Sequence, residues 1–471
     1  MARDCHVLLL LSFGLFASPR PAVQKATTDN EARAAGATIN PASCGHDACP
    51  NGERTLPRED WVYRPREGWK MLFQGVADAS GDLYWAECTA DAVCDLVSGT
   101  SGGAIRFRAP LLGVRRFGNL ERGDLVVAGE LVTQGLERGT IRAFKTSDGS
   151  VAWSHDLRAD LCEGHRSHDS STLAIRSITS GRAGELFLEA DGDSCDSKSR
   201  GHWVISLWAA SGRLRWVKAY ERAPSGLVAS EDGDLFFQGH LKADDGWSPY
   251  LISLSSSGRE RWRRIESWLS QPVAAFGGRL FGANREVWQT ATGARLFRVP
   301  VGDAWRGQRN AFTLVSERSA FVIGSPELAC VGAGCSIAIQ KIDLSAGELS
   351  WRVALSDGDQ PSSISQPILT SADTILFAQS TRSSTLLREF SSDGREIHSV
   401  PLPNGRYAGA ALLSNRWIAA VESPAPEIRA FQLGPERARR SGWISWGGDV
   451  GCGGAPQEER RAAAARRPAT R

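Results

Sequence analysis

A glycine followed four residues later by a large ring recurs along this chain, and no other feature narrows the fold as far. The instances are Gly103/Phe107, Gly149/Trp153, Gly212/Trp216, Gly258/Trp262, Gly293/Phe297, Gly347/Trp351 and a weaker Gly394/His398. Each follows an alternating apolar stretch and a small polar turn residue, as in Ile141-Arg-Ala-Phe-Lys-Thr-Ser-Asp-Gly149-Ser-Val-Ala-Trp153. Alternation, a turn signal and a second alternating run make a β-hairpin. Upstream of each glycine lies another element, a short polar turn that leads into an apolar strand. Its copies read Gly81-Asp-Leu-Tyr-Trp85, Gly123-Asp-Leu-Val-Val127, Gly184-Glu-Leu-Phe-Leu188, Gly233-Asp-Leu-Phe-Phe237 and Gly278-Arg-Leu-Phe281, with degenerate ones at 319–323, 373–377 and 415–419.

Eight copies of about 35 to 63 residues, each worth four strands, predict an all-β fold, an eight-bladed β-propeller of four-stranded antiparallel blades. A lone four-stranded sheet buries neither face, so each blade must pack on its neighbours, with the rings filling the space that widens between outer strands. Trp61-Val-Tyr63 precedes the first blade, where it is placed to supply the missing outer strand of the last one. Composition agrees, since 49 Gly and 16 Trp against 2 Met suit short strands and tight turns rather than helices.

This pattern resembles the PQQ-like β-propeller repeat, and Ile342-Asp-Leu-Ser-Ala-Gly347-Glu-Leu-Ser-Trp351 and the repeat that ends at Trp153 match its consensus best. The resemblance covers about residues 69 to 444 and implies the fold. It leaves function open, because such propellers include quinoprotein dehydrogenases, outer-membrane assembly scaffolds and binding proteins without catalysis. Family quinoproteins carry a disulfide between sequence-adjacent cysteines over the cofactor. This chain has no adjacent cysteine pair and no CxxCH haem motif, so no catalytic residue carries over and no cofactor is expected.

Residues 1–22 read as a signal peptide, with an apolar core from Val7 to Ala17 after Arg3. Residues 23–60 read as a linker with a small cysteine staple, 61–446 as the propeller and 447–471 as a disordered basic tail. The expected place is therefore the periplasm or the extracellular space, with no transmembrane segment. Cysteine spacing supports an oxidising compartment: Cys44/Cys49, Cys88/Cys94 and Cys330/Cys335 are close pairs in loops, and Cys162 with Cys195 is a fourth candidate disulfide. Cys452 is left over.

The most chemistry-bearing stretch combines Cys162-Glu-Gly-His165-Arg-Ser-His168-Asp169 with Asp191-Gly-Asp193-Ser-Cys195-Asp196. Three readings stand: a disulfide-stapled polar loop, a Ca²⁺ site on Asp191, Asp193 and Asp196, or a softer metal on Cys162 with His165 and His168. Gly99-Thr-Ser101-Gly-Gly103 satisfies G-x-S-x-G, but a hairpin turn with no following helix cannot present a nucleophile. A net charge of +2, from 55 Lys+Arg against 53 Asp+Glu, excludes a protein held to nucleic acid by phosphate contacts. The expected function is a monomeric, exported, non-catalytic scaffold that holds a protein or polysaccharide ligand on a propeller face. The alternative is a quinone- or metal-dependent enzyme that uses the axial funnel.

Overall fold

The computed structural model describes residues 58–433, less 79–80, 92, 112–124, 129, 136–138, 162–172, 182–183, 194–199, 231, 244–245, 266–271, 283–285, 299–311, 316–318, 325–337, 356–362, 366, 371–373, 382, 414 and 422–425. The chain enters on β1 (Arg58–Tyr63) and then lays down eight antiparallel sheets in sequence order. Sheet 1 holds β2 (Trp69–Ala77), β3 (Leu83–Thr89), β4 (Cys94–Gly99) and β5 (Ile105–Leu111). Sheet 2 holds β6 (Leu125–Ala128), β7 (Leu131–Gly135), β8 (Thr140–Lys145) and β9 (Val151–Asp156), followed by the short helix α1 (Leu157–Leu161). Sheet 3 is β10 (Leu173–Ser180), β11 (Glu185–Asp193), β12 (Arg200–Trp208) and β13 (Leu214–Tyr220). Sheet 4 is β14 (Ser225–Ala229), β15 (Leu235–Ala243), β16 (Gly246–Leu254) and β17 (Glu260–Ile265).

Sheet 5 comprises β18 (Pro272–Phe276), β19 (Arg279–Gly282), β20 (Glu286–Gln289) and β21 (Arg295–Arg298). Sheet 6 comprises β22 (Phe312–Val315), β23 (Ser319–Gly324), β24 (Ala338–Asp343) and β25 (Glu348–Ala354). In sheet 7 the first strand is broken into β26 (Ser363–Ile364) and β27 (Ile368–Leu369), both on β28 (Ile375–Ser380), with β29 (Thr385–Phe390) and β30 (Glu396–Leu402) outside. Pro367 lies in the break, where a residue without an N–H cannot continue the ladder. Among the described residues, sheet 8 holds β31 (Tyr407–Leu413), β32 (Arg416–Val421) and β33 (Glu427–Gln432), and β1 pairs with β33 as its fourth strand. The Trp61–Tyr63 segment thus occupies the outer-strand position, and the strand begins earlier than expected, at Arg58.

Burial follows the strand's place in its sheet. Second strands are covered on both faces, so β28 is buried at every residue, whereas outer strands alternate, as in β13 with Trp216 turned inward and Val217 exposed. Successive residues of a second strand therefore serve two interfaces: Phe237 packs toward sheet 3 and Phe236 toward sheet 5. Apolar clusters join sheets 1 and 2, 2 and 3, 3 and 4, 4 and 5, 6 and 7, and 7 and 8. A further cluster joins Ile418, Ala420, Ile428 and Ala430 of sheet 8 to Met71, Leu83, Trp85 and Val97 of sheet 1.

The copy at 123–127 gives the apolar strand it predicts, since Leu125–Val127 lie on β6, but this is the first strand of its sheet, and the second strand β7 starts at Leu131 after Glu130. Gly129-Glu-Leu-Val reads almost the same as Gly123-Asp-Leu-Val, and the pairing of Ala128 with Leu131 makes the later Leu-Val the start of the second strand.

Candidate functional site

The two ends of the sheets take different connections. At one end lie the turns from first to second strand and from third to fourth, such as 78–82, 181–184, 209–213 and 255–259, all short and mostly glycine-closed. At the other end lie the second-to-third turns and the connections to the next sheet, which include 112–124, 162–172, 299–311, 325–337 and 355–362. Cys162, His165 and His168 fall in 162–172 and Cys195 with Asp196 in 194–199, segments that leave the same end of sheet 3 because Leu173 pairs with Gly192. Cys330 and Cys335 fall in 325–337, between β23 and β24. These cysteines, Asp196 and both histidines lie outside the described residues, as do Cys44, Cys49, the expected signal peptide and the tail 447–471.

What is described there is a set of satisfied polar groups. Asp191 is buried, and Arg176 on β10 meets both of its oxygens, with Nη2 3.0 Å from Oδ2 and Nε on Oδ1. A guanidinium thus stands where a cation ligated by Asp191 would stand, and a Ca²⁺ site would have to displace it. The Asp193 side chain is outside the described residues. Ser177 donates to Glu189 at 3.2 Å on the same strand pair.

In sheet 1 the corresponding end carries the Cys88–Cys94 disulfide, which joins directly opposed residues of β3 and β4. The next pair inward is Glu87 opposite Asp95. Glu87 is fully buried and accepts hydrogen bonds from Trp85 Nε1 at 2.8 Å, Arg108 Nη1 at 2.8 Å and the Tyr63 hydroxyl. Arg108 also reaches that hydroxyl. Burial, then the Glu87 carboxylate, pushes the Tyr63 phenol up to about 12. Burial works against the Arg108 charge, but Glu87 and Tyr63 outweigh it and the guanidinium is held more firmly protonated than usual. Asp95 pairs with Arg66, whose guanidinium stacks on Trp69 with 3.7 Å to the ring centroid.

The short-turn end is held by a different device. The ring of each repeat lies on the turn glycine of the next: Trp61 on Gly103, Phe107 on Gly149, Trp153 on Gly212, Trp216 on Gly258, Trp262 on Gly293, Phe297 on Gly347 and Trp351 on Gly394. A Cβ at Gly258 would fall 2.8 Å from Trp216, and φ is +79° there, so the position excludes a side chain twice over. Where the ring is Trp, its indole also donates to a carbonyl of that turn, as in Trp61 to Ser101 (2.9 Å), Trp216 to Ser256 (2.9 Å) and Trp262 to Thr290 (2.7 Å). Gly99–Gly103, the G-x-S-x-G match, is one of these docking turns.

Neither a family model nor a curated protein matches the chain. Solved structures do. The computationally designed Ika8 protein matches at 12% identity with a TM-score of 0.51, over 80% of this chain and all of that one. A quinohemoprotein alcohol dehydrogenase from Pseudomonas putida HK5 matches at 11% and 0.50, over 82% and 77%. BamB from Moraxella catarrhalis matches at 14% and 0.49, over 81% and 98%. At these identities the likeness to the designed protein and to the dehydrogenase concerns the fold alone.

Proposed function

We propose that this chain is a closed eight-bladed propeller, exported from the cytoplasm, that acts without catalysis of its own as a scaffold and holds a protein partner on the face of its long connections. Closure is supported by β1 on β33, by the shared core of sheets 8 and 1, and by Trp61, which docks on Gly103 as every later ring docks on the next turn. The longest connections, 112–124, 299–311 and 325–337, all belong to one end of the sheets by strand order, and this carries the functional reading. Rigid strands with long connections at one end and minimal turns at the other give one variable face on a fixed support, the arrangement that recognition uses. Three described acidic side chains on that face, Glu87, Asp95 and Asp191, are committed to arginine partners, which suits a support at those positions rather than a site of proton transfer or metal binding.

The test is site-specific photocross-linking in an exporting host. Val93 and Ile265, 58% and 69% exposed at the long-connection end, are compared with Val151 and Leu214 on the rim at the short-turn end. Cross-links to one discrete protein from the first pair alone are expected, and cross-links confined to the second pair would move the site to the other face. Native mass spectrometry of the exported protein decides the alternative enzyme: a stoichiometric bound quinone or metal ion replaces the scaffold reading with a cofactor-dependent one.

A further inference from the structure

We infer that the Cys88–Cys94 disulfide controls how firmly the N-terminal strand is held, so that ring closure in this protein is coupled to the oxidation state of one cystine. The inference goes beyond the proposed function and stands whatever the partner is.

Three observations meet in sheet 1. The disulfide fastens the tip of the β3–β4 hairpin, whose turn between Thr89 and Val93 is otherwise closed by Thr89 N–H to Val93 O at 2.9 Å and Val93 N–H to Thr89 Oγ1 at 3.3 Å. The residue pair just inside the disulfide is Glu87 opposite Asp95. Those two carboxylates hold the C-terminal end of the entering segment onto sheet 1, Glu87 through Tyr63 at the end of β1 and Asp95 through Arg66 just after it, while the β33 ladder and the Glu59–Arg429 and Asp60–Arg416 pairs hold it onto sheet 8. The covalent staple and the two anchors thus occupy consecutive rungs of one ladder.

The energetic consequence follows from burial. A fully buried carboxylate with three donors is well satisfied only while all of them stay in register, and a small displacement of its strand leaves charge and donors unpaired together. Hairpin ends fray first, and the disulfide suppresses that fraying next to Glu87 and Asp95. A dithiol reductant breaks the S–S bond by delivering two electrons and two protons, which leaves the Cys88 and Cys94 thiols and the reductant as its own disulfide. The hairpin tip then opens and both anchors loosen. In an oxidising compartment the staple forms and β1 is locked on; where thiols stay reduced, β1 exchanges between docked and free.

Amide hydrogen exchange of the full chain tests this, with peptides that cover 58–66 read against β16 as an internal reference. In C88A/C94A, exchange across 58–66 should speed up about tenfold or more while β16 stays unchanged. The E87Q/D95N variant, with the disulfide intact, should reproduce the acceleration, and combining the two pairs should add little because they act through one contact set. Unchanged exchange in β1, equal acceleration of β1 and β16, or independent multiplication of the two effects would each overturn the inference. If C88A/C94A does not fold, wild type under graded dithiol, with Cys88 and Cys94 tracked by alkylation, gives the same reading: β1 must loosen as those thiols appear, and protection that persists after both are alkylated refutes the coupling.

Discussion

A tryptophan that docks on the glycine of the following repeat does three things at once. It fills the wedge between outer strands, donates its indole N–H to a turn carbonyl, and requires that the turn have no side chain. Trp262 shows all three, since it is buried, packs on Gly293 and donates to Thr290 O at 2.7 Å. Trp262→Ala is expected to cost about 3–5 kcal/mol, as buried aromatic truncations do. Trp262→Phe, which keeps the ring and strands the carbonyl, is expected to cost about 1–2 kcal/mol. Urea unfolding of both variants checks the order, and equal losses would mean that the hydrogen bond contributes nothing. His240 supplies a pH prediction. Burial first, then Arg222, lowers its pKa below the ordinary 6.5, and among the described residues its Nδ1 has no hydrogen-bond partner. The unfolded chain therefore binds a proton that the folded one resists, so this contribution is whole above pH 6.5 and is lost as pH falls through the folded value. The melting temperature should drop between pH 7 and 5, and His240→Gln should flatten that slope. An unaltered slope would place the titrating group elsewhere.

Elements were legible from the sequence wherever a turn residue has a steric reason. Gly212, Gly258 and Gly347 mark hairpins because only glycine fits both the positive φ and the docked ring, and the outer strands after them stand where the spacing predicts. The partner of each ring was not legible, because spacing shows what lies within a repeat and the ring docks on the next one. In sheet 2 the place of each strand in the sheet was not legible because two Gly-acid-Leu stretches compete and only strand pairing separates them. An ion pair repeated within sheets could have been read: the acid after the first-turn glycine meets the arginine before the ring in Asp82–Arg106, Glu185–Arg215 and Asp234–Arg261. At the candidate site, the cysteine spacing pointed to the Cys88–Cys94 bond, but Asp191's tie to Arg176 needs the β10–β11 register, which no local pattern encodes. The same logic makes β1 the critical element. A chain that begins at Arg64 would leave the β33 edge, Glu427-Ile-Arg-Ala-Phe-Gln432, unpaired and Glu87 short of a donor. Such a chain should melt lower and associate with rising concentration in light scattering, and a peptide of residues 57–66 should reverse both. A truncated chain that stays monomeric would show that β1 is not needed to cover that edge.

At the scale of the whole molecule, the tyrosines report on the contacts between sheets. All five are at inter-sheet positions: Tyr63 where sheet 8 meets sheet 1, Tyr84 between sheets 1 and 2, Tyr220 and Tyr250 between 3 and 4, and Tyr407 between 7 and 8. Burial raises every one of their pKa values, Tyr63 to about 12. The phenolate is thus disfavoured in the folded state, so the stability these groups contribute is whole below pH 10, their ordinary value, and is lost as pH rises toward the folded values. Ultraviolet titration of the native protein should show no phenolate near pH 10, then a steep rise, above about pH 11, that coincides with loss of near-ultraviolet dichroism, because ionisation and separation of the sheets are one event. Tyr63→Phe isolates the closing interface. It removes a hydrogen bond to a buried charge, worth about 1.5–3 kcal/mol, and should bring alkaline unfolding to lower pH without adding a phenol that titrates early. A tyrosine that ionises near pH 10 in the folded protein would mark one interface as open to water, and Tyr63 in that role would mean that sheets 8 and 1 do not close on each other.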